Sequence, residues 1–180
     1  MVKLYNKSIG VLGGSFDPVH NGHLAISKIA LKKIKLNKIY WIVTKKNPFK
    51  NKAHFSLEKR IKLAKKAAKN HKKIKVLYLD KIVKSSRSIN IINYLIKKKK
   101  LNNIHFIIGS DILIDIHKWK SWKKIVNLVK LVVFNRKGYD RRSKISIVAK
   151  YLKNKNIIYI KNKPVKISST ILRNKIKKIS

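Results

Sequence analysis

The chain has no cysteine among its 180 residues, which excludes disulfides and thiolate metal centres together. Negative charge is nearly as scarce: six acidic side chains stand against 47 lysines and arginines, for a net charge of +41 at pH 7. Long apolar runs are missing too. The longest, such as residues 39–43 and 106–108, are strand-sized, and no apolar run of about 7–15 residues follows the charged first five residues. Neither a signal peptide nor a membrane span can be built from such runs, so the expected compartment is the cytoplasm. The length suits one domain over residues 1–180, with room for a full core.

The charge taken alone suggests a polyanionic partner, a basic module for nucleic acid being one reading. Its composition argues for a plainer cause. Lysine supplies 41 of the 47 cations, and 29 isoleucines and 16 asparagines accompany them, a bias that A/T-rich codons produce. Base-reading proteins lean instead on arginine, whose planar fork matches base edges. The cations are also spread along the whole chain, and the densest run, Lys97 to Lys100, closes an expected helix where it complements the dipole. Nucleic acid is therefore not the expected partner, although a positive field would hasten any small anionic substrate.

Short β-branched runs alternate with helical patterns from end to end, which predicts an α/β fold with a doubly wound parallel sheet. Strands are expected at 8–12, 38–43, 74–79, 104–108, 130–134 and 157–160. Helices are expected at 22–34, 56–69, 89–98, 123–128 and 142–152, with a turn at Pro164 and a last helix from about Ser169. Ser56 opens the second helix with Lys59 where a capping box has glutamate, so only half of that cap can form.

Chemistry concentrates where the first strand ends, in Gly13-Gly14-Ser15-Phe16-Asp17-Pro18-Val19-His20-Asn21-Gly22-His23. Two glycines after a strand let backbone approach a ligand, and the helix that follows offers free N–H groups and a positive dipole end. His20 and His23, three positions apart, share one face of that helix start. Together they describe a phosphate seat. A dinucleotide fingerprint is excluded by the glycine spacing and by the lack of an acid closing the second strand. A second candidate stands near the other end, in Ile167-Ser168-Ser169-Thr170-Ile171-Leu172-Arg173. Its hydroxyls can cap a helix and meet phosphate, and Arg173 follows Thr170 by one turn with a guanidinium suited to phosphate oxygens.

The first of these segments resembles the signature of the HxGH nucleotidyltransferase superfamily, and the second resembles its ISSTxxR signature. Within the superfamily the chain is similar to the bacterial nicotinate mononucleotide adenylyltransferases. The doublet Gly13-Gly14, His20, the loop Asn47-Pro48-Phe49-Lys50, the run Ile108-Gly109-Ser110-Asp111 followed by Trp119 and Trp122, and Asn135-Arg136-Lys137-Gly138 carry that similarity. The resemblance implies a Rossmann-like nucleotidyltransferase fold. It implies a reaction in which AMP passes from ATP to nicotinic acid mononucleotide, releasing pyrophosphate.

It further implies His20, His23 and Arg173 as catalytic residues. Gly13, Gly14, Ser15, Phe16, Asp111, Ser168, Ser169 and Thr170 would serve ATP. Lys50, Ser88 and Trp119 would serve the second substrate, with Trp119 stacked on the pyridine ring and Trp122 left to packing; Arg87, which stands where the family has tyrosine, is a further candidate for its carboxylate. Asp111 would bond a ribose or merely cap the next helix. With so few carboxylates, Mg2+ is expected to be held mainly by the ATP phosphates, and no protein metal site is expected. The segment Ser86-Arg87-Ser88-Ile89-Asn90 departs from the Ser-Tyr-Thr of the family, and Lys137 replaces the proline of its Arg-Pro-Gly. Phosphopantetheine adenylyltransferase is the nearest rival; His20 and the two tryptophans argue against it. The oligomeric state is not legible.

Overall fold

In the computed structural model, residues 7–45 and 53–162 are described, together with Ser169 and Leu172. The chain opens with β1 (Ile9–Gly14), α1 (Asn21–Lys33), β2 (Lys38–Val43), α2 (Leu57–Ala68) and β3 (Ile74–Leu77). A short α3 (Asp80–Val83) and α4 (Ser88–Lys99) lead to β4 (Ile104–Gly109), α5 (Ser110–Asp115) and a 3₁₀ turn, Ile116–Lys118. Then come α6 (Trp122–Leu128), β5 (Lys130–Phe134), α7 (Asp140–Lys144), α8 (Ile147–Tyr151) and β6 (Ile157–Ile160).

Six strands form one sheet in the order β3-β2-β1-β4-β5-β6, every adjacent pair parallel. This is the doubly wound arrangement the alternation predicted. Its order reverses between β1 and β4, and the crevice beyond the carboxyl ends of those two strands is where such sheets take ligands. Parallel strands are buried on both faces and read as unbroken apolar runs. Residues 104–108 of β4 are accordingly all buried. One core face joins Val11, Ile92, Leu95, Phe106 and Val133 under α4, α6 and α8. The other joins Leu12, Ala30, Trp41, Ala64 and Val132 under α1 and α2. Trp41 Nε1–H donates to Ser27 Oγ at 2.8 Å, both residues fully buried, and so pins α1 to β2.

Differences from the sequence reading have local causes. The helix expected at 142–152 is two helices, because Ser146 takes an extended backbone and its Oγ accepts the Ala149 N–H to start α8 afresh. Strand β3 ends at Leu77 rather than residue 79, since Leu79 already stands at the N-terminus of α3. Both α3 and α5, four and six residues long, are too short to show a period. The half-cap at Ser56 is present, its Oγ accepting the Lys59 N–H at 3.2 Å. Among the described residues no helix is long and apolar enough to cross a membrane. The turn at Pro164 lies outside the described residues, and Ser169 and Leu172 are helical.

Candidate active site

The end of β1 and the start of α1 form the seat that the glycines and histidines imply. His20 is the N-cap of α1, and its Nδ1 accepts the Gly22 N–H at 3.0 Å. His23 occupies the third helical position and its Nδ1 accepts the His20 N–H at 3.2 Å. The pair is a capping box written in histidine, satisfying two otherwise orphaned helix donors. The arrangement fixes a chemical state. A ring nitrogen that accepts from an amide carries no proton, so in the neutral rings the hydrogen is on Nε2. Two Nε2–H donors thus stand side by side, the ring centroids 4.0 Å apart, at the positive end of a helix. Burial, and secondarily the Arg136 guanidinium, lower the His20 pKa to about 4. His20 is therefore a neutral donor near pH 7.

The loop between strand and helix is held from several sides. Phe16 has a φ of 48°, a left-handed conformation uncommon outside glycine, and is 2% exposed. Its ring stacks on Trp41 at 5.4 Å and tilts against His23 at 4.8 Å. Buried Asp17 accepts the N–H groups of His54 (2.7 Å) and Phe55 (2.9 Å). Ser169 Oγ donates to Pro18 O at 2.9 Å, so the second motif is joined to the first across 151 positions of chain.

On the other side of Gly13 and Gly14 opens a cavity of about 450 Å³. Its floor is apolar, from Val11, Ile42, Ile91, Phe106 and Ile125, and Trp119 forms a wall with its ring edge-on to Phe106 at 6.3 Å. Polar groups line the rest: Thr44, Ser86, Arg87, Ser88, Lys118 and Lys120. Trp122 lies outside this lining and packs edge-on against Tyr151 at 5.1 Å. The cavity can hold a flat ring against Trp119 and offers cations to an acidic substituent.

Asp111 lies in the first turn of α5, whose N-cap is Gly109, so the capping alternative for Asp111 is not realised. Its Oδ2 accepts Arg136 Nη1 at 3.1 Å, while Oδ1 is buried and has no hydrogen-bond partner among the described residues. Gly109 is needed for this approach, since a Cβ there would collide with the Asp111 carboxylate and stand 3.1 Å from Arg136 Nε. The Arg136 N–H is in turn held by Ser110 Oγ at 2.9 Å.

The structure therefore brings together Gly13, Gly14, Ser15, Phe16, His20, His23 and Ser169, and gathers Arg87, Ser88 and Trp119 around the adjoining cavity. Lys50, Ser168, Thr170 and Arg173 lie outside the described residues. Sequence reasoning gave no role to Thr44, Lys118, Lys120 or Arg136. Only Arg136 carried a signal, its place in the Asn135-Arg136-Lys137-Gly138 run two residues after β5, at the ligand edge of the sheet.

Residues 11–175 match the family described as cytidylyltransferase-like. A Pelagibacter ubique protein named as a probable nicotinate-nucleotide adenylyltransferase is 46% identical over 165 residues, covering 92% of this chain and 91% of its own. One of the same name from Clostridium acetobutylicum is 32% identical over 176 residues, covering 95% and 88%. Among solved structures, Plasmodium falciparum nicotinic acid mononucleotide adenylyltransferase complexed with APC superimposes with a TM-score of 0.74 at 18% identity, over 93% of this chain and 83% of that one. The same enzyme complexed with NaAD gives 0.71 at 20%, over 96% and 89%. Those likenesses establish the fold, and the sequence matches establish the kinship. The chain belongs to the cytidylyltransferase-like nucleotidyltransferases and, within them, to the nicotinate-nucleotide adenylyltransferase family.

Proposed function

We propose that the chain, acting as a single nucleotidyltransferase domain in the cytoplasm, transfers AMP from ATP to nicotinic acid mononucleotide, giving deamido-NAD and pyrophosphate. The observation that carries the reading is adjacency. A histidine phosphate seat and a ring-sized cavity walled by Trp119 share the glycines Gly13 and Gly14 as their common border. A mononucleotide with its ring in the cavity would then point its 5′-phosphate toward the seat where ATP phosphates lie.

The reaction is an in-line displacement. A phosphate oxygen of the mononucleotide bonds to the α-phosphorus of ATP as the bond to pyrophosphate breaks, and the electron pair leaves with pyrophosphate. No protein nucleophile is needed, so the protein acts by orientation and by stabilising charge. The Nε2–H groups of His20 and His23 donate to phosphate oxygens. Ser168, Ser169, Thr170 and Arg173 hold the departing pyrophosphate, and Lys50 adds a cation. Asp111, through its unpartnered Oδ1, accepts from a ribose hydroxyl. Arg87 and Ser88 face the pyridine carboxylate.

Of the carboxylates on the segments that build the site, Asp17 is held by two amides and one oxygen of Asp111 by Arg136. The side chains thus fit a magnesium ion that arrives with ATP and is held mainly by its phosphates. Such an ion, when bound, offsets phosphate charge as pyrophosphate departs. The test is pyrophosphate release from ATP with nicotinic acid mononucleotide, its amide counterpart and phosphopantetheine as acceptors. Turnover of the acid nucleotide at least 10-fold above the others is expected, and turnover of phosphopantetheine alone would overturn the reading.

A further inference from the structure

Arg60 is 2% exposed, in the first turn of α2, and forms no ion pair at hydrogen-bond distance among the described residues. Burying a guanidinium is costly unless its donors are all answered. Here main-chain carbonyls answer them. Nε donates to Phe55 O at 3.1 Å, Nη1 to Ser15 O at 2.7 Å and to Thr44 O at 2.8 Å, and Nη2 to Lys45 O at 3.2 Å. Asp80, 8% exposed, lies within electrostatic reach of Arg60 and accepts the Lys45 N–H at 2.7 Å.

The choice of acceptors is informative. None belongs to the body of the sheet, and all lie beyond its carboxyl edge. Ser15 joins Gly14, a border of the cavity, to Phe16, which packs on His23. Thr44 lines the cavity, and its N–H donates to Gly14 O at 3.0 Å. Phe55 is held from its amide side by Asp17 and from its carbonyl side by Arg60. Docking of α2 itself is supplied by buried Ala64 and Ala68 and by the partly buried Ile61.

We propose that Arg60 is a positioning residue for adenylyl transfer, a buried strut whose guanidinium sets the spacing between the histidine seat and the pyridine cavity. Both substrates depend on that spacing, because the phosphate loop and the β2 exit meet on this one side chain. Lysine cannot replace it: an ammonium offers three donors from one atom, and the four carbonyls need a planar fork.

The inference rests on the adenylyl-transfer reading, but its test compares variants with wild type on whichever acceptor the wild type uses, so the two can fail separately. Arg60→Lys and Asp17→Asn are assayed well below their melting temperatures, with folding checked by near-UV circular dichroism. Misplacement of a reacting group by about 1 Å costs on the order of 100-fold. Each folded variant should therefore lose about 10- to 100-fold in kcat/KM, with kcat reduced and KM raised for both ATP and the acceptor. Kinetics within twofold of wild type in a folded variant, with only Tm lowered, would overturn the assignment. So would failure of both variants to fold, which would make the strut part of the scaffold alone.

Discussion

Replacing His20 by asparagine separates the cap that the structure shows for this side chain from the phosphate role proposed for it. As N-cap it accepts the Gly22 N–H, and as a neutral imidazole it presents Nε2–H toward the proposed phosphate seat. Asparagine is among the best N-caps, so His20→Asn should keep stability within about 0.5 kcal/mol. It cannot supply the second donor from the same place, and loss of one such donor costs about 100- to 1000-fold in kcat. His20→Ala should show the same kinetic loss and also lose the cap, about 1 kcal/mol, or roughly 2–4 °C in Tm for a chain of this size.

Acid provides an independent check on His20→Asn. The folded pKa of His20 is about 4, below its ordinary value of 6.5, so between these values the unfolded chain binds more protons. The stability His20 contributes is full above pH 6.5 and is lost as pH falls toward 4. His20→Asn removes that loss, so wild type should weaken relative to the variant across this window. Burial and Lys130 lower the pKa of His105 as well, but that histidine is common to both proteins and cancels. Pyrophosphate release and urea unfolding at pH 4.5 and 7.5 are the two assays. Undiminished kcat in folded His20→Asn would reduce the histidine to a cap and refute the phosphate role.

Trp119→Ala should raise KM for the mononucleotide roughly 5- to 150-fold, from a stacking contribution of about 1–3 kcal/mol, and leave KM for ATP nearly unchanged. Equal effects on both substrates would mark Trp119 as core. Arg87→Ala should lower the preference for acid over amide nucleotide by roughly 10-fold or more if its guanidinium meets the carboxylate, the ratio of kcat/KM values being the measurement. An unchanged ratio would strip Arg87 of that part, since a screened surface charge contributes almost nothing.

The β1–α1 segment was the most legible part of the molecule, because its chemistry is local. Glycines, a helix start and two histidines three apart lie within eleven residues, and geometry at that range follows from helical spacing alone. The sheet was legible for a similar reason, its central strands being largely buried runs such as residues 104–108. What escaped depends on contacts distant in sequence. Arg60 reads as one more cation on an amphipathic helix until the fold brings Ser15 to it from 45 positions away. Arg136 gains its place from Asp111, 25 positions earlier. Even the capping box was only half visible: the sequence showed two histidines on one face, but not that each ring would cap a backbone amide and so choose its tautomer.

The parallel sheet order has a consequence for how the protein is made. Strand β1 has one neighbour, β2, that follows it closely in the chain, but its other neighbour, β4, comes far later. Ser8 and Asn103, hydrogen-bonded beside those two strands, are separated by 95 positions. At about 5–20 residues per second, a ribosome takes roughly 5–20 s to cover that distance. Until β4 is made, the future centre of the sheet lacks the neighbour that helps to bury Ile9, Val11 and Leu12 in the folded chain. A strand edge without its neighbour is a template for unwanted strand pairing. Yield during synthesis should therefore depend on how quickly residues 104–109 emerge, and slow codons between β3 and β4 should lower it.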